Sequence, residues 1–398
     1  MKQIKTNKFC DTLISIKTCF PLKEETITII NLWALMMRKK TEMFSSLQQL
    51  TQQLSKTYGL KAGIHVSGYG NMVAIDFRFR AIDFSWIEDP HYPSEVLTMI
   101  QQILFAPILD EEGLEEAKYS LKNRLLRQHD DPHSFVVNEA LKQIETDHTI
   151  RISLQGDIDQ MENITLDQIQ DFYQSFIKAK KHIYIVGNVP ERIVSYLEEL
   201  DSPSFANYRK ERLNEEKAFI SSTQREISQS AIAQVYQTRQ MIGEKLFPAL
   251  QVANSILGQS PSSLLFTNIR EKHSYCYSIS SSLLRFDGAL LITTGTQKEN
   301  IQPLLKLIDE QIKIMQEGKY SDTLLDIAKK DILDAYKAIE DNPLSLIEQA
   351  FIDDLLERSL TLKERKAQTQ LVSKEDIRLV AKKWSLVSQK ILEGILDE

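Results

Sequence analysis

The chain repeats itself once, and no other feature of its 398 residues limits its folding options so strongly. Leu114-Glu-Glu-Ala-Lys118 and Leu325-Asp-Ile-Ala-Lys329 each open a long helical pattern, and each pattern stops at a proline step, Asp131-Pro132 and Asn342-Pro343. Ala117 and Ala328 are 211 residues apart, and so are Pro132 and Pro343. Further along, Thr165 with Gln168 has capping-box spacing and Ser373 with Asp376 is a weaker variant, at an offset of 208. Each half closes on a short apolar strand containing a glycine, at 182–188 and 390–396. The spacing predicts two homologous halves, 1–200 and 218–398, joined by a polar linker at 201–217.

Within each half the coarse order is strands, helix, hairpin, helices, strand. Ile75, Phe77 and Phe79 alternate with Asp76, Arg78 and Arg80 after a Gly68-Tyr-Gly-Asn71 turn, a period of two that predicts a half-buried strand with its charges on a solvated face. Residues 278–284 and 289–296 flank Phe286-Asp-Gly288 and form the matching hairpin, while 303–314 and 321–339 are helical, with Leu304, Leu305, Ile308 and Ile312 on one face. A mainly antiparallel sheet with helices packed on one face, twice over, is an α+β architecture.

Hydrophobic residues at 42% and charged residues at 26% are ordinary for a globular chain, which excludes a disordered or fibrous one. The net charge of −7 offers no footprint for phosphate backbones or anionic lipid, so neither nucleic acid nor membrane is an expected partner. Cys10, Cys19 and Cys276 are odd in number and match no metal or redox spacing, which indicates a reducing compartment. The first apolar stretch is broken by Asp11, Thr12, Ser15 and Lys17, so no signal peptide is visible, and the run around 27–37 is too short to span a bilayer; the expected location is the cytoplasm.

The most specific text is Asn254-Ser-Ile-Leu-Gly-Gln-Ser-Pro-Ser-Ser-Leu-Leu-Phe-Thr-Asn-Ile-Arg-Glu-Lys-His-Ser-Tyr-Cys-Tyr277. It resembles the C-terminal half of pitrilysin-type zinc metallopeptidases, the group that includes insulin-degrading enzyme and the mitochondrial processing peptidases. In that family a Gly/Ser loop leads to a helix ending in Arg-Glu-Lys, and a Tyr follows the Arg by seven residues; Arg270 and Tyr277 occupy those positions. The segments at 152–176 and 183–189 are also similar to the end of the family's N-terminal half. The resemblance implies that Arg270 and Tyr277 donate hydrogen bonds to substrate backbone and developing oxyanion, facing a zinc site on the opposite half or on a partner chain. From the residues alone, a helix-end Arg paired with Glu271 and a Tyr packed on a strand is the plainer reading.

The family's zinc site is His-x-x-Glu-His on a helix plus a distal Glu. Counted back from Lys39-Lys40-Thr41, those five positions fall on Asn31, Leu32, Trp33, Ala34 and Leu35, and the distal ligand falls on Asn123, with Arg124 the other register. Asn31, Ala34, Leu35 and Asn123 leave neither ligands nor base, so no metal or other cofactor is expected in this chain. His129-Asp-Asp-Pro-His133 has ligand-like spacing, but Pro132 starts a new helix with Asp131 as its N-cap, and the internal copy Asp341-Asn-Pro-Leu344 keeps the break without a His. His65, His91, His148, His182 and His273 are scattered singly and read as surface or satisfied core residues. The resemblance implies a non-catalytic subunit of a heterodimeric zinc peptidase, whose homologous partner carries the zinc and which closes over a peptide. A homodimer is open to the isolated chain. A catalytically inert structural or chaperone-like protein is the alternative, and a hydrolase with a relocated metal a third.

Overall fold

A computed structural model describes residues 1–144, 147–202 and 208–396, so positions 203–207 of the expected linker lie outside the described residues. The first sheet contains β1 (Lys2–Ile4), β2 (Asp11–Pro21), β3 (Lys61–Tyr69), β4 (Met72–Ile82) and β5 (Lys181–Val186), in the order β1-β5-β2-β4-β3. The second contains β6 (Phe219–Arg225), β7 (Ser230–Gln237), β8 (Cys276–Leu284), β9 (Ala289–Thr296) and β10 (Ser385–Gly394), in the order β6-β10-β7-β9-β8. The two orders correspond strand for strand, and among the named strands of the described residues the parallel pair in each sheet is the one at the edge, β1 with β5 and β6 with β10. The α+β duplication is therefore present at the level of topology.

Local chemistry sets the joints. Gly70 and Gly288 take positive φ in the β3–β4 and β8–β9 turns, where a side chain would be strained. The long helix Glu111–Asp130 stops before Pro132, and Asp131 caps the next helix by accepting the Ser134 N–H at 2.8 Å. Asn342 does the same for Leu344 and Ser345 ahead of the helix Pro343–Leu355. His129 and His133 thus fall on two different helices, both exposed. Both expected capping boxes form, at Thr165 and Ser373. No helix among the described residues is long and apolar enough to cross a membrane.

The protein forms two compact units, and each half of the sequence contributes to both. The first unit is Met1–Leu126, Ser153–Arg209 and Ile339–Ser359; the second is Arg127–Ile152, Lys210–Ala338 and Leu360–Glu398. What crosses over is, in each half, the helix behind the proline step: Pro343–Leu355 belongs with the first sheet and Pro132–Lys142 with the second. The segment 201–217 divides the sequence but does not by itself divide the folded units. Each sheet has a second face that must be covered, and the exchanged helix covers it.

In the first unit, Trp33 of the helix Glu24–Met36 packs edge-on to Phe77 and Phe172 with ring centroids 5.9 and 5.2 Å away, and tilted against Phe176 at 4.9 Å. The opposite face of that sheet carries Ser15, Lys17 and Asp76, and here the strand reading is corrected: Asp76 is completely buried and Lys17 is 1% exposed. Phe351 of the exchanged helix lies against Tyr69, with Lys17 Nζ 4.9 Å from its ring, and Glu348 sits 3.6 Å from Lys17. Under this cover Asp76 accepts from Ser15 Oγ at 2.6 Å, Lys17 Nζ at 2.8 Å and Arg78 Nε at 2.6 Å. Burial pushes the Asp76 carboxyl up, but Lys17 and Arg78 more than offset it and hold it below the ordinary carboxylate range. Arg80 remains exposed and pairs with Asp11 across the strands.

In the second unit the exchanged helix is apolar where it meets the sheet. Val136, Ala140 and Ile144 pack on Ala231, Ala233 and Val235 of β7 and on Val387 and Leu392 of β10. Gln143 finishes the joint, donating to the Phe219 and Gln389 carbonyls and accepting from Ser221 Oγ at 2.6 Å.

Candidate functional site

The helix Glu24–Met36 places Asn31, Ala34 and Leu35 within one turn, on one face. They open on a cavity of about 300 Å³ that also takes in four consecutive β3 residues, 64–67. Successive strand residues point to opposite faces, so a cavity touching all four lies along the edge of the strand, and β3 is the outermost strand of its sheet.

The helix Glu111–Asp130 contributes Arg124 to this cavity and not Asn123. Arg124 Nη2 donates to Asn31 Oδ1 at 2.7 Å, whereas Asn123 Nδ2 turns back to the Tyr119 carbonyl of its own helix at 3.0 Å. One residue along a helix is a rotation of about 100°, enough to carry a side chain from the cavity to the flank. Of the two registers counted for the distal position, it is Arg124 whose side chain meets Asn31, while Asn123 lies on the flank. Asn31 is fully engaged, because its Nδ2 donates to the Ile27 carbonyl at 2.9 Å and the Leu154 carbonyl at 3.0 Å.

This set does not fit zinc. Asn31 is a neutral amide already committed to three neighbours, Ala34 and Leu35 offer no donor atom, and Arg124 brings a positive charge to the ligand side. Among the described residues, no group of three or more His, Cys, Asp or Glu is placed to hold a metal. The cavity is basic instead. Arg38, Arg78 and Arg124 line it together with His65, and no Asp or Glu among the described residues does. Burial pushes the Arg124 guanidinium down from its ordinary value, and burial followed by the charge of Arg78 pushes His65 down, so its imidazole is neutral at pH 7.

In the second unit the Gly/Ser segment folds into two π-helical turns, Ser255–Gln259 and Phe266–Glu271. Such turns carry an extra residue per winding and recur at functional sites. Gly258 is required here, since a Cβ would lie 2.7 Å from Leu265 Cδ1 and 2.8 Å from the Ser281 backbone nitrogen. Ser260 Oγ anchors the loop to Asp331 at 2.7 Å. Arg270, near the end of the second π turn, is exposed, and its guanidinium lies 4.6 Å over the Phe266 ring. Among the described residues it makes no ion pair, with Glu271 or any other acid. Tyr277 is 74% exposed and sits where the β8–β9 register slips between Cys276 and Ser278. A bulge of this kind turns its residue out of the ladder, and β8 is the outermost strand of its sheet. Burial raises the neighbouring Cys276 thiol, with Thr294 and the charge of Arg270 pulling against it, so Arg270 acts on the same end of the hairpin.

The sequence profile of the peptidase M16 inactive domain matches residues 163–332. A curated relative, the probable inactive metalloprotease YmfF of Bacillus subtilis (strain 168), is 24% identical over 407 residues, covering 98% of this chain and 95% of its own. The chain is similar to M16-family peptidases, through residues 163–332 and through a relative that matches nearly end to end. Two solved structures share the chain's fold from end to end. A conserved protein from Enterococcus faecalis V583 is 24% identical with a TM-score of 0.92, and a peptidase M16 inactive domain from Pseudomonas fluorescens is 17% identical with a TM-score of 0.82; each covers 100% of this chain and 96% of its own.

Sequence reasoning placed Asn31, Ala34 and Leu35 in one site of this chain and Arg270 and Tyr277 in another. It missed Arg38, His65 and Arg78. No motif links them, because Arg38 follows a helix while the other two belong to adjacent strands.

Proposed function

We propose that this chain is the non-catalytic subunit of a cytoplasmic two-chain bacterial zinc endopeptidase, whose homologous partner carries His-x-x-Glu-His and the metal. The observation that carries this reading is the presentation of Arg270 and Tyr277: an exposed guanidinium without a carboxylate partner among the described residues, and a phenol turned outward by a bulge on an edge strand. Packing residues are seldom held this way, whereas hydrogen-bond donors for a peptide are. In the assembled enzyme the residues of the partner's His-x-x-Glu-His would hold zinc, which would supply Lewis-acid chemistry toward the scissile carbonyl. Arg270 would hold the peptide backbone, and Tyr277 would donate to the oxygen on which negative charge develops. The outer edge of β8 offers a ladder for an extended peptide.

The test is cleavage of an unfolded peptide by this chain co-purified with a zinc-bearing partner. Arg270→Ala and Tyr277→Phe are expected to lower kcat by on the order of 10² to 10³ while leaving assembly intact. If both variants assemble and cleave at the wild-type rate, the two side chains are packing groups and the inert structural reading takes precedence.

A further inference from the structure

We infer that the arginine-lined cavity of the first unit is a carboxylate-binding site, which takes the carboxylate of a peptide, from its C-terminus or from an Asp or Glu side chain. The inference concerns the first unit alone and does not depend on the zinc-bearing partner. Its basis is charge accounting inside a concave site. Arg78 is neutralised by Asp76, which it meets at 2.6 Å. Arg124 meets only neutral oxygens, Asn31 Oδ1 at 2.7 Å and the Gln155 carbonyl at 3.5 Å. Among the described residues, Arg38 has no ion-pair partner and no acid lines the cavity. Two guanidiniums therefore face about 300 Å³ of space without a counter-charge.

A second observation points the same way. Arg124 Nε is buried and has no hydrogen-bond partner among the described residues. A buried donor left unmade costs stability, and an acceptor oxygen at this guanidinium would remove that cost. Guanidinium presents donors in a planar fork that matches a carboxylate, and charge-assisted bonds of this kind are roughly twice as strong as neutral ones. The choice of a peptide follows from the strand beside the cavity. The outer edge of β3 runs along it, so a chain laid on that edge would deliver a side chain or terminus to the arginines.

Isothermal titration on the full chain at low salt tests this with four probe peptides and inorganic phosphate. The probes are acetyl-Ala-Ala-Glu-amide against acetyl-Ala-Ala-Gln-amide, and acetyl-Ala-Ala-Ala as free acid against its amide. At least one carboxylate member is expected to bind about ten-fold or more tightly than its amide partner, with the advantage shrinking as salt rises. The pair that shows the preference identifies the source of the carboxylate. Arg124→Gln is expected to abolish the preference. Because that change also releases Asn31, Arg38→Gln serves as the second variant: its side chain is exposed, and its loss should reduce the preference several-fold without touching the fold. Equal binding of acid and amide in both pairs, no binding of any probe at millimolar concentration, or a preference that survives both variants would overturn the inference. Phosphate binding more tightly than every peptide, and competing with them, would overturn the peptide source.

Discussion

Asn31 stands where a metal-binding His would be expected, and its amide is spent on Ile27, Leu154 and Arg124. Restoring the motif alone should therefore fail. The variant Asn31→His, Ala34→Glu, Leu35→His is expected to stay free of tightly held zinc by metal analysis, because the Arg124 charge remains on the fourth side; adding Arg124→Glu should allow uptake of about one zinc per chain. Equal zinc content in the two variants would show that Arg124 is no obstacle. A different residue reports on pH. Asp287 is pushed up to about 6 from 3.8, mainly by burial, with His148 opposing. Its folded-state pKa lies above its unfolded one, so the contribution to stability is present below about pH 4 and is lost as pH rises through about 6. Asp287→Asn should accordingly raise the melting temperature at pH 8 and gain little at pH 4. A difference that stays constant between those pH values would mean that the carboxyl does not feel its burial.

At the scale of elements, the exchanged helix Pro343–Leu355 explains why a polar strand face is buried. Phe351 meets Tyr69 and Tyr184 at centroid distances of 4.8 and 6.0 Å and covers Lys17. Truncation to Phe351→Ala is expected to cost about 3–5 kcal/mol in denaturant unfolding, since it opens a cavity and rehydrates the charges beneath. Lys17→Met should cost a similar amount, about 3–5 kcal/mol, because it strands Asp76 in the interior with Arg78 as its remaining charged partner. A loss below about 1 kcal/mol for Lys17→Met, the value of an exposed ion pair, would show that the network is solvated. The alternation Ile75, Asp76, Phe77, Arg78 was legible as a strand but misleading about exposure. Period-two patterning reports which residues share a face, and it carries no information about a helix more than 250 residues away.

At the scale of the whole molecule, each half lends a helix to the other's sheet, so neither half contains a complete core. Residues 1–202 alone would leave Lys17 and Asp76 without Phe351, and would leave Val136, Ala140 and Ile144 with nothing to cover. Expressed singly, 1–202 and 208–398 are expected to be aggregated or molten by circular dichroism and size exclusion, and to form a folded one-to-one complex when co-expressed. Cooperative unfolding of either half alone near the melting temperature of the full chain would refute this. By itself, the sequence determined the duplication, the proline-terminated helices, the capping boxes, the hairpins and the absence of zinc ligands at 31, 34 and 35. All of these rest on turn chemistry, caps and periodicity, which act within a few residues along the chain. Only the tertiary structure decided that Arg124 and not Asn123 meets Asn31, that Asp76 is buried, and that three arginines share one cavity. Those facts depend on helix rotation, on which sheet a helix covers and on where distant side chains meet, quantities fixed by packing between segments far apart in sequence.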